Sequence, residues 1–284
     1  MKKTISKDGT EIAFERAGKG PALILVDGAL CSMAFGPMPK LAAELSGQFT
    51  VIWYDRRGRN LSGNTKPYAV KREIEDLSAV IQEAGGQAFV MGISSGAALA
   101  LAATASGLPV TGLAMYEPPF FVDQGGHYPP PDAKEKLTQL IDSDRRSDAL
   151  KYFMHNMIGA PSIFVTLFSL MPVWSKLKAV AHTLPHDAAV MGDFSLPTAL
   201  AASIKVPTLV AGGAKSPASM RHAAEVLTRA VPGARLAWLP GQKHNVSPSV
   251  LAPVLKNFFL GLPSETTKST SEPGRVESVK PAAQ

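Results

Sequence analysis

The apolar positions of the chain fall into short continuous runs, separated by stretches with a helical period. Ala22 to Val26, Phe49 to Tyr54, Ala88 to Ile93 and Val110 to Tyr116 are such runs, each bounded by turn residues. Runs of this kind are typical of strands covered on both faces of a parallel sheet. Between them, Pro37 to Leu45, Ala69 to Ala84 and Ser95 to Ala105 read as helices. In the second of these, Val70, Ile74, Leu77, Val80 and Ile81 share one face. Two shorter strand-like runs flank Asp8-Gly9, a dipeptide suited to a tight hairpin. The alternation predicts an α/β fold: a mostly parallel central sheet with right-handed crossovers and helices on both faces.

After Tyr116 the alternation stops. From about Phe120 to Ala202 there are helical patterns and Pro-containing loops but no convincing strand. It resumes with a strand at Pro207 to Gly213, a helix at Met220 to Arg229, a strand at Ala234 to Leu239 and a helix at Ser249 to Leu260. A helical cap inserted into a sheet domain has this form, with residues 1–121 and 204–262 as the core and 122–203 as the cap. Residues 263–284 are rich in Ser, Thr, Pro, Glu and Lys. They bury too little to offset their ordering entropy and are expected to form a disordered tail.

The chain has 284 residues, 45% hydrophobic and 18% charged, which is enough apolar material for a large core without covalent staples. Its single cysteine, Cys31, allows no intrachain disulfide and favours a reducing compartment. The N-terminal lysines are not followed by an apolar signal region, and no run approaches the roughly 20 apolar residues of a membrane span. The expectation is a cytoplasmic protein with no membrane partner. The net charge of +6 is scattered, with no run of four basic residues, so nucleic acid is not an expected partner either.

The sharpest motif is Gly92-Ile93-Ser94-Ser95-Gly96, which fits G-x-S-x-G where a strand should pass into a helix. A tight turn there holds the serine in a strained conformation at the top of the sheet, and Gly92 and Gly96 keep neighbouring backbone from clashing. Ser94 then stands at a helix N-terminus, whose dipole favours developing negative charge. A Gly- and Ser-containing turn can carry these letters by chance; the strand–turn–helix context makes Ser94 a candidate nucleophile.

With that motif in place, the chain resembles the α/β-hydrolase family over essentially Thr4 to Leu262. The family usually carries His-Gly after its first parallel strand, followed by a residue donating an oxyanion-hole N–H. Here the segment is Asp27-Gly28-Ala29, so the resemblance implies Ala29 and Ser95 as the two donors. Asp27 in place of His is a departure that touches side-chain support of the loop. The family's D-x-R-G-x-G-x-S segment is similar to Asp55 to Ser62, with Asn60 replacing a Gly. Asn is the non-Gly residue that best tolerates positive φ. The segment reads as structural, with Asp55 and Arg57 bracing a loop beside the site; a binding role for Arg56 or Arg59 is the lesser alternative.

Of six histidines, only His244 lies on a short loop after the last strand, where the family places its general base. The family's acid most often follows the strand that begins at Pro207. This chain has Gly213-Ala214-Lys215-Ser216-Pro217 there, and no carboxylate until Glu225. Some members place the acid one strand earlier, a position filled here by Glu117 in Tyr116-Glu117-Pro118-Pro119. Glu117 is thus expected to orient the Nδ1–H of His244, the competing reading being a solvated strand-end Glu.

The resemblance implies a serine hydrolase acting on a small-molecule substrate, a small to medium, fairly apolar ester or lactone, through an acyl-enzyme and without a cofactor. The same triad supports C–C hydrolysis, acyl transfer and perhydrolysis. The missing acid after the Pro207 strand motivates another class, a hydrolase-like binding or receptor protein with an impaired triad. His182 and His186 have metal-ligand spacing, but Pro185 interrupts the helix they would need, so no metal is expected. Cys31 reads as a small apolar residue beside the oxyanion loop. Phe120, Phe121, Phe153, Met154, Met157, Phe164, Phe168, Met171 and Trp174 either line a substrate pocket or pack the cap onto the core.

Overall fold

The strands form a single sheet in the computed structural model, which describes residues 1–122 and 128–261. The segment expected to be a disordered tail lies outside the described residues. β1 (Lys2–Ile5) and β2 (Glu11–Ala17) make the hairpin around Asp8-Gly9, with Gly9 at φ 85°. β3 (Ala22–Val26), β4 (Thr50–Tyr54), β5 (Ala88–Ile93), β6 (Val110–Tyr116), β7 (Thr208–Gly213) and β8 (Arg235–Leu239) follow. The spatial order is β1-β2-β4-β3-β5-β6-β7-β8; the hairpin joins antiparallel through β2 and every other pairing is parallel.

The helices are α1 (Met38–Leu45), α2 (Val70–Glu83), α3 (Ser95–Ala105), α4 (Ala133–Asp142), α5 (Arg146–Tyr152), α6 (Ser162–Phe168), α7 (Val173–Val180), α8 (Leu184–Met191), α9 (Thr198–Ala202), α10 (Ala218–Ala230) and α11 (Pro248–Leu260). Each strand sends alternate residues to opposite faces. Leu23 and Leu25 of β3 therefore meet Leu41 of α1 and Leu255 of α11, while Ile24 and Val26 join Leu77 of α2, Leu99 of α3 and Leu227 of α10. With both faces covered, the strands need no polar side, which is why they read as continuous apolar runs. α3 lies at the centre and is buried almost all round. α2 differs from its sequence reading in one respect: it also buries Glu73 and Asp76 on its inner face, beside Leu77.

The helices α4 to α9 all fall between β6 and β7, joined by a π-helical turn at Phe153–Met157 and a 3₁₀ turn at Ala181–Thr183. Among the described residues the β structure there is one isolated bridge, Phe121 to Ser195. α8 is the helix of this group that packs against both α2 and α3.

The sheet register sets up the site. Val26 pairs with Gly92, Ile93 with Tyr116, Tyr116 with Ala211, and Gly213 with Leu239. The carboxyl ends of β3, β5, β6, β7 and β8 are therefore level, and the segments that leave them open on the same edge. Parallel α/β sheets bind ligands along that edge.

Candidate active site

Ser94 leaves β5 with φ 56° and ψ −128°, a backbone state that is costly for a residue with a Cβ. Surrounding bonds hold it there. Its N–H donates to Tyr116 O at 2.9 Å, and its carbonyl accepts the N–H of Ala97 at 2.9 Å as α3 begins. The turn is too tight for side chains beside it. A Cβ on Gly92 would lie 2.6 Å from Ala97 Cα, and one on Gly96 would lie 2.5 Å from Asp27 O. A Cβ on Gly28 would stand 3.0 Å from that of Ser94, so the Asp27-Gly28-Ala29 loop runs directly past the serine.

Glu117 leaves β6 at φ 45°, its N–H donating to Ala211 O at 3.1 Å. This turn brings the carboxylate back under β7. Oε1 accepts the Gly213 N–H at 2.7 Å and the Ser216 hydroxyl at 2.5 Å, and Oε2 lies 2.9 Å from His244 Nδ1. Burial alone would raise the Glu117 pKa, but the hydrogen bonds from His244, Ser216 and Gly213 outweigh it and hold the carboxyl below its ordinary value. Next to an ionised carboxylate, Nδ1 carries the proton and Nε2 is left as an acceptor. The Tyr116 hydroxyl donates to Lys243 O at 2.7 Å and ties down the loop that carries His244. The solvated strand-end alternative for Glu117 does not fit its 2% exposure.

Ser94, Ser95, Ala29 and His244 line one cavity of about 740 Å³. Its remaining wall is mainly apolar and includes Phe120, Phe121, Phe153, Met157, Met191 and Phe194. The aromatic and Met residues singled out in the sequence therefore divide. Phe120, Phe121, Phe153 and Met157 face the cavity; Met154, Phe168 and Trp174 pack with the core; Phe164 and Met171 stand in solvent.

The Asp55-to-Ser62 segment is structural, but its arginines divide the work differently from the sequence reading. Asp55 does brace the neighbouring loops, accepting from Met33 N–H at 2.7 Å and Asn60 Nδ2 at 2.9 Å, with Asn60 at φ 41°. Arg57 points away from the site. It makes a two-bonded pair with Asp76 of α2 and reaches Asp8 in the hairpin at 2.7 Å. Arg56 and Arg59 are the ones beside the site. Arg56 forks onto Glu73 and reaches Asp187 Oδ1 at 2.8 Å, while Arg59 Nη2 donates to both oxygens of Asp187. Arg59 Nη1 also donates to Gly28 O at 2.5 Å and Cys31 O at 3.2 Å, clamping the loop that carries Ala29.

Asp187 was not among the sequence candidates. It lies on α8, is 2% exposed, and accepts the Ser95 hydroxyl at 2.7 Å. One carboxylate thus joins the helices between β6 and β7, two core arginines and the residue after Ser94. Nothing local in Leu184-Pro185-His186-Asp187 signals this, because its partners lie more than ninety positions away in the chain.

Asp27 is buried with Oδ1 accepting the Gly28 N–H at 2.9 Å and Oδ2 without a hydrogen-bond partner. Burial is the dominant influence on it and, against the pull of Arg59 and the Gly28 N–H, raises its pKa to about 7. Cys31 sits beside it, and burial likewise pushes its thiol up, away from thiolate reactivity. Among the described residues no group of three or more His, Cys, Asp and Glu side chains is placed to hold a metal ion. His182 Nε2 bonds Gly58 O at 2.7 Å, and His186 stacks on Tyr68 with ring centroids 3.8 Å apart.

Comparison with known proteins agrees with this fold. A model of the alpha/beta hydrolase family matches residues 27–253. The crystal structure of an alpha/beta hydrolase from Sphaerobacter thermophilus DSM 20745 is 53% identical in sequence, covering 91% of this chain and all of that one with a TM-score of 0.86. A thermophilic esterase from Thermogutta terrifontis, solved with malate bound, is 22% identical over 92% of this chain and 98% of that one, TM-score 0.68, a likeness of fold. An uncharacterized hydrolase of Bacillus subtilis (strain 168), YraK, is 31% identical over 105 residues, which is 34% of this chain and 37% of that protein.

Proposed function

Since the chain belongs to the alpha/beta hydrolase family, we propose that it is a serine hydrolase in which Ser94 is the nucleophile, His244 the general base and Glu117 the orienting acid. The observation that carries this reading is the Glu117 Oε2 to His244 Nδ1 contact of 2.9 Å, behind a histidine that shares its cavity with Ser94 at a strained elbow. The substrate class that suits the cavity is a small to medium, mostly apolar carboxylic ester or lactone. About 740 Å³ with a mainly apolar wall admits such a molecule, and Ser219, Gln242 and Asn245 add polar groups to it.

In this reading Ser94 Oγ attacks the carbonyl carbon while His244 Nε2 takes its proton. The N–H groups of Ala29 and Ser95 receive the negative charge that develops on the carbonyl oxygen. His244 then returns the proton to the leaving alkoxide, and water attacks the acyl-enzyme with His244 again as base. Glu117 stabilises the imidazolium in each half-reaction without itself gaining the proton. The helices between β6 and β7 act as a cap that supplies much of the apolar wall. The likeness to a protein described as an alpha/beta hydrolase at 53% identity supports the reaction class.

A fluorophosphonate, which traps activated serines, tests the proposal. The intact mass should rise by one adduct on the wild type and not on Ser94→Ala. Absence of an adduct on folded wild type would favour a hydrolase-like binding protein instead.

A further inference from the structure

Six large apolar side chains stand in solvent on one stretch of the helices between β6 and β7. Ile158, Ile163, Phe164, Leu167, Leu170 and Met171 are each more than half exposed, Leu170 at 79%. Ile163, Phe164 and Leu167 (i, i+1, i+4) share one side of α6, and Leu170 and Met171 follow in the turn after it. All five face outward. α6 buries Val165 and rests Phe168 on Trp174, whose Nε1 is bonded to Ser147 Oγ at 3.0 Å on α5. The apolar face is thus held on the outside by packing on the inside. Monomeric soluble proteins seldom expose several large apolar side chains close together in the chain without a partner for them.

Charge indicates which partner. Between Asp148 and Asp187 the chain contains no acidic residue, while Lys151, Lys176 and Lys178 are exposed on the flanking helices. The acids at the start of α5 are already paired, Asp148 with Arg145 at 2.8 Å and Asp144 with Arg146 at 3.5 Å. A second copy docked on this face through a two-fold axis would bring two sets of these lysines together with no acid of the segment to answer them. An anionic lipid surface answers them directly. The patch also leads into the cavity: Ile158, 62% exposed, lines it together with Met157 and Ser94.

We propose that the apolar face running from Ile158 through α6 to Met171 docks on the surface of an anionic phospholipid bilayer, lying in the headgroup region with the lysines around it. No single described helix is long and apolar enough to cross a membrane, and surface docking requires none. The sequence-based expectation of no membrane partner rested on the lack of a span, which does not bear on this mode. The proposal is independent of the catalytic assignment.

Sedimentation with phosphatidylcholine vesicles, with and without phosphatidylglycerol, tests it. The wild type should partition onto the mixed vesicles at least about tenfold more strongly than onto pure phosphatidylcholine, with the difference shrinking as salt is added. Ile163→Ser/Leu167→Ser/Leu170→Ser should lower that partition about tenfold or more while keeping the wild-type unfolding midpoint. Lys151→Glu/Lys178→Glu, which leaves the apolar face intact, should abolish the preference for the anionic vesicles. Three results would overturn the proposal: no partition of the wild type, equal partition of the serine variant, or a wild-type dimer in sedimentation velocity that the serine variant makes monomeric while vesicles are ignored.

Discussion

Replacing Glu117 by Gln changes one atom of the proposed triad, and the surroundings dictate how the amide sits. The Gly213 N–H is a fixed backbone donor 2.7 Å from Oε1, and the Ser216 hydroxyl donates to the same oxygen. The amide oxygen must therefore take the Oε1 place, since an NH₂ there would face the Gly213 N–H. This turns the NH₂ toward His244 Nδ1, where the carboxylate oxygen stood at 2.9 Å. Nδ1 then has to accept, the ring proton moves to Nε2, and the nitrogen proposed to take the Ser94 proton no longer can. Enforcing the wrong tautomer in a triad costs about 10⁴ in turnover, or about 5.5 kcal/mol of barrier. Because Glu117 lies behind His244 and buried, KM should stay within a few-fold of wild type. The assay is steady-state hydrolysis of p-nitrophenyl butyrate, with the imidazole tautomer read from ¹⁵N shifts of the ring nitrogens. A folded Gln variant within tenfold of the wild-type kcat would refute the assignment of Glu117. So would a ring that keeps its proton on Nδ1.

The acid should be partly transferable. Ser216 already touches the Glu117 carboxylate, so Glu117→Ala/Ser216→Asp should turn over about 10- to 100-fold faster than Glu117→Ala alone, a gain that steady-state kinetics would read directly. Asp187→Ala leaves Arg59 buried without its carboxylate and Arg56 with only Glu73, so the unfolding free energy in a urea titration should fall by about 3–5 kcal/mol. A loss under about 1 kcal/mol would mean the pairs are not closed in solution. Asp27 has a folded-state pKa raised from 3.8 to about 7, so its contribution to stability is complete below the lower value and is lost as pH rises through the upper one. Between those limits the wild type should lose about 1.4 kcal/mol per pH unit from this group. Asp27→Asn should remove that slope, and identical slopes for the two proteins would show that Asp27 is ionised throughout. Glu117 has the opposite sign: held below its ordinary value, it stabilises the fold at neutral pH and loses that contribution as pH falls through its depressed pKa.

Much of the fold was legible because the helices cover both faces of the sheet. Strands with no solvated face must be apolar throughout, and their runs at Ala22, Phe49, Ala88 and Val110 stand out from the amphipathic helices between them. Ser94 was legible because a serine on so tight a turn needs glycines two residues either side, which is a local requirement. His244 and Glu117 could be named from their places after strands. Their contact, by contrast, is a product of register: Tyr116 pairs with Ala211 and Gly213 with Leu239, which brings the ends of β6 and β8 to one edge. Tertiary structure alone decided the rest. Ser216, in the segment where the family most often has its acid, proves to be a hydrogen-bond donor to Glu117, the proposed acid. In Asp55-Arg56-Arg57-Gly58-Arg59 the three arginines look alike, yet Arg57 turns toward the hairpin while Arg56 and Arg59 turn toward Asp187. The sequence determines which groups are charged and which segments are strands or helices, since both follow from residue type and near-neighbour spacing. Which charge meets which, and which apolar face is left in solvent, depends on how distant segments pack, and no local pattern encodes that.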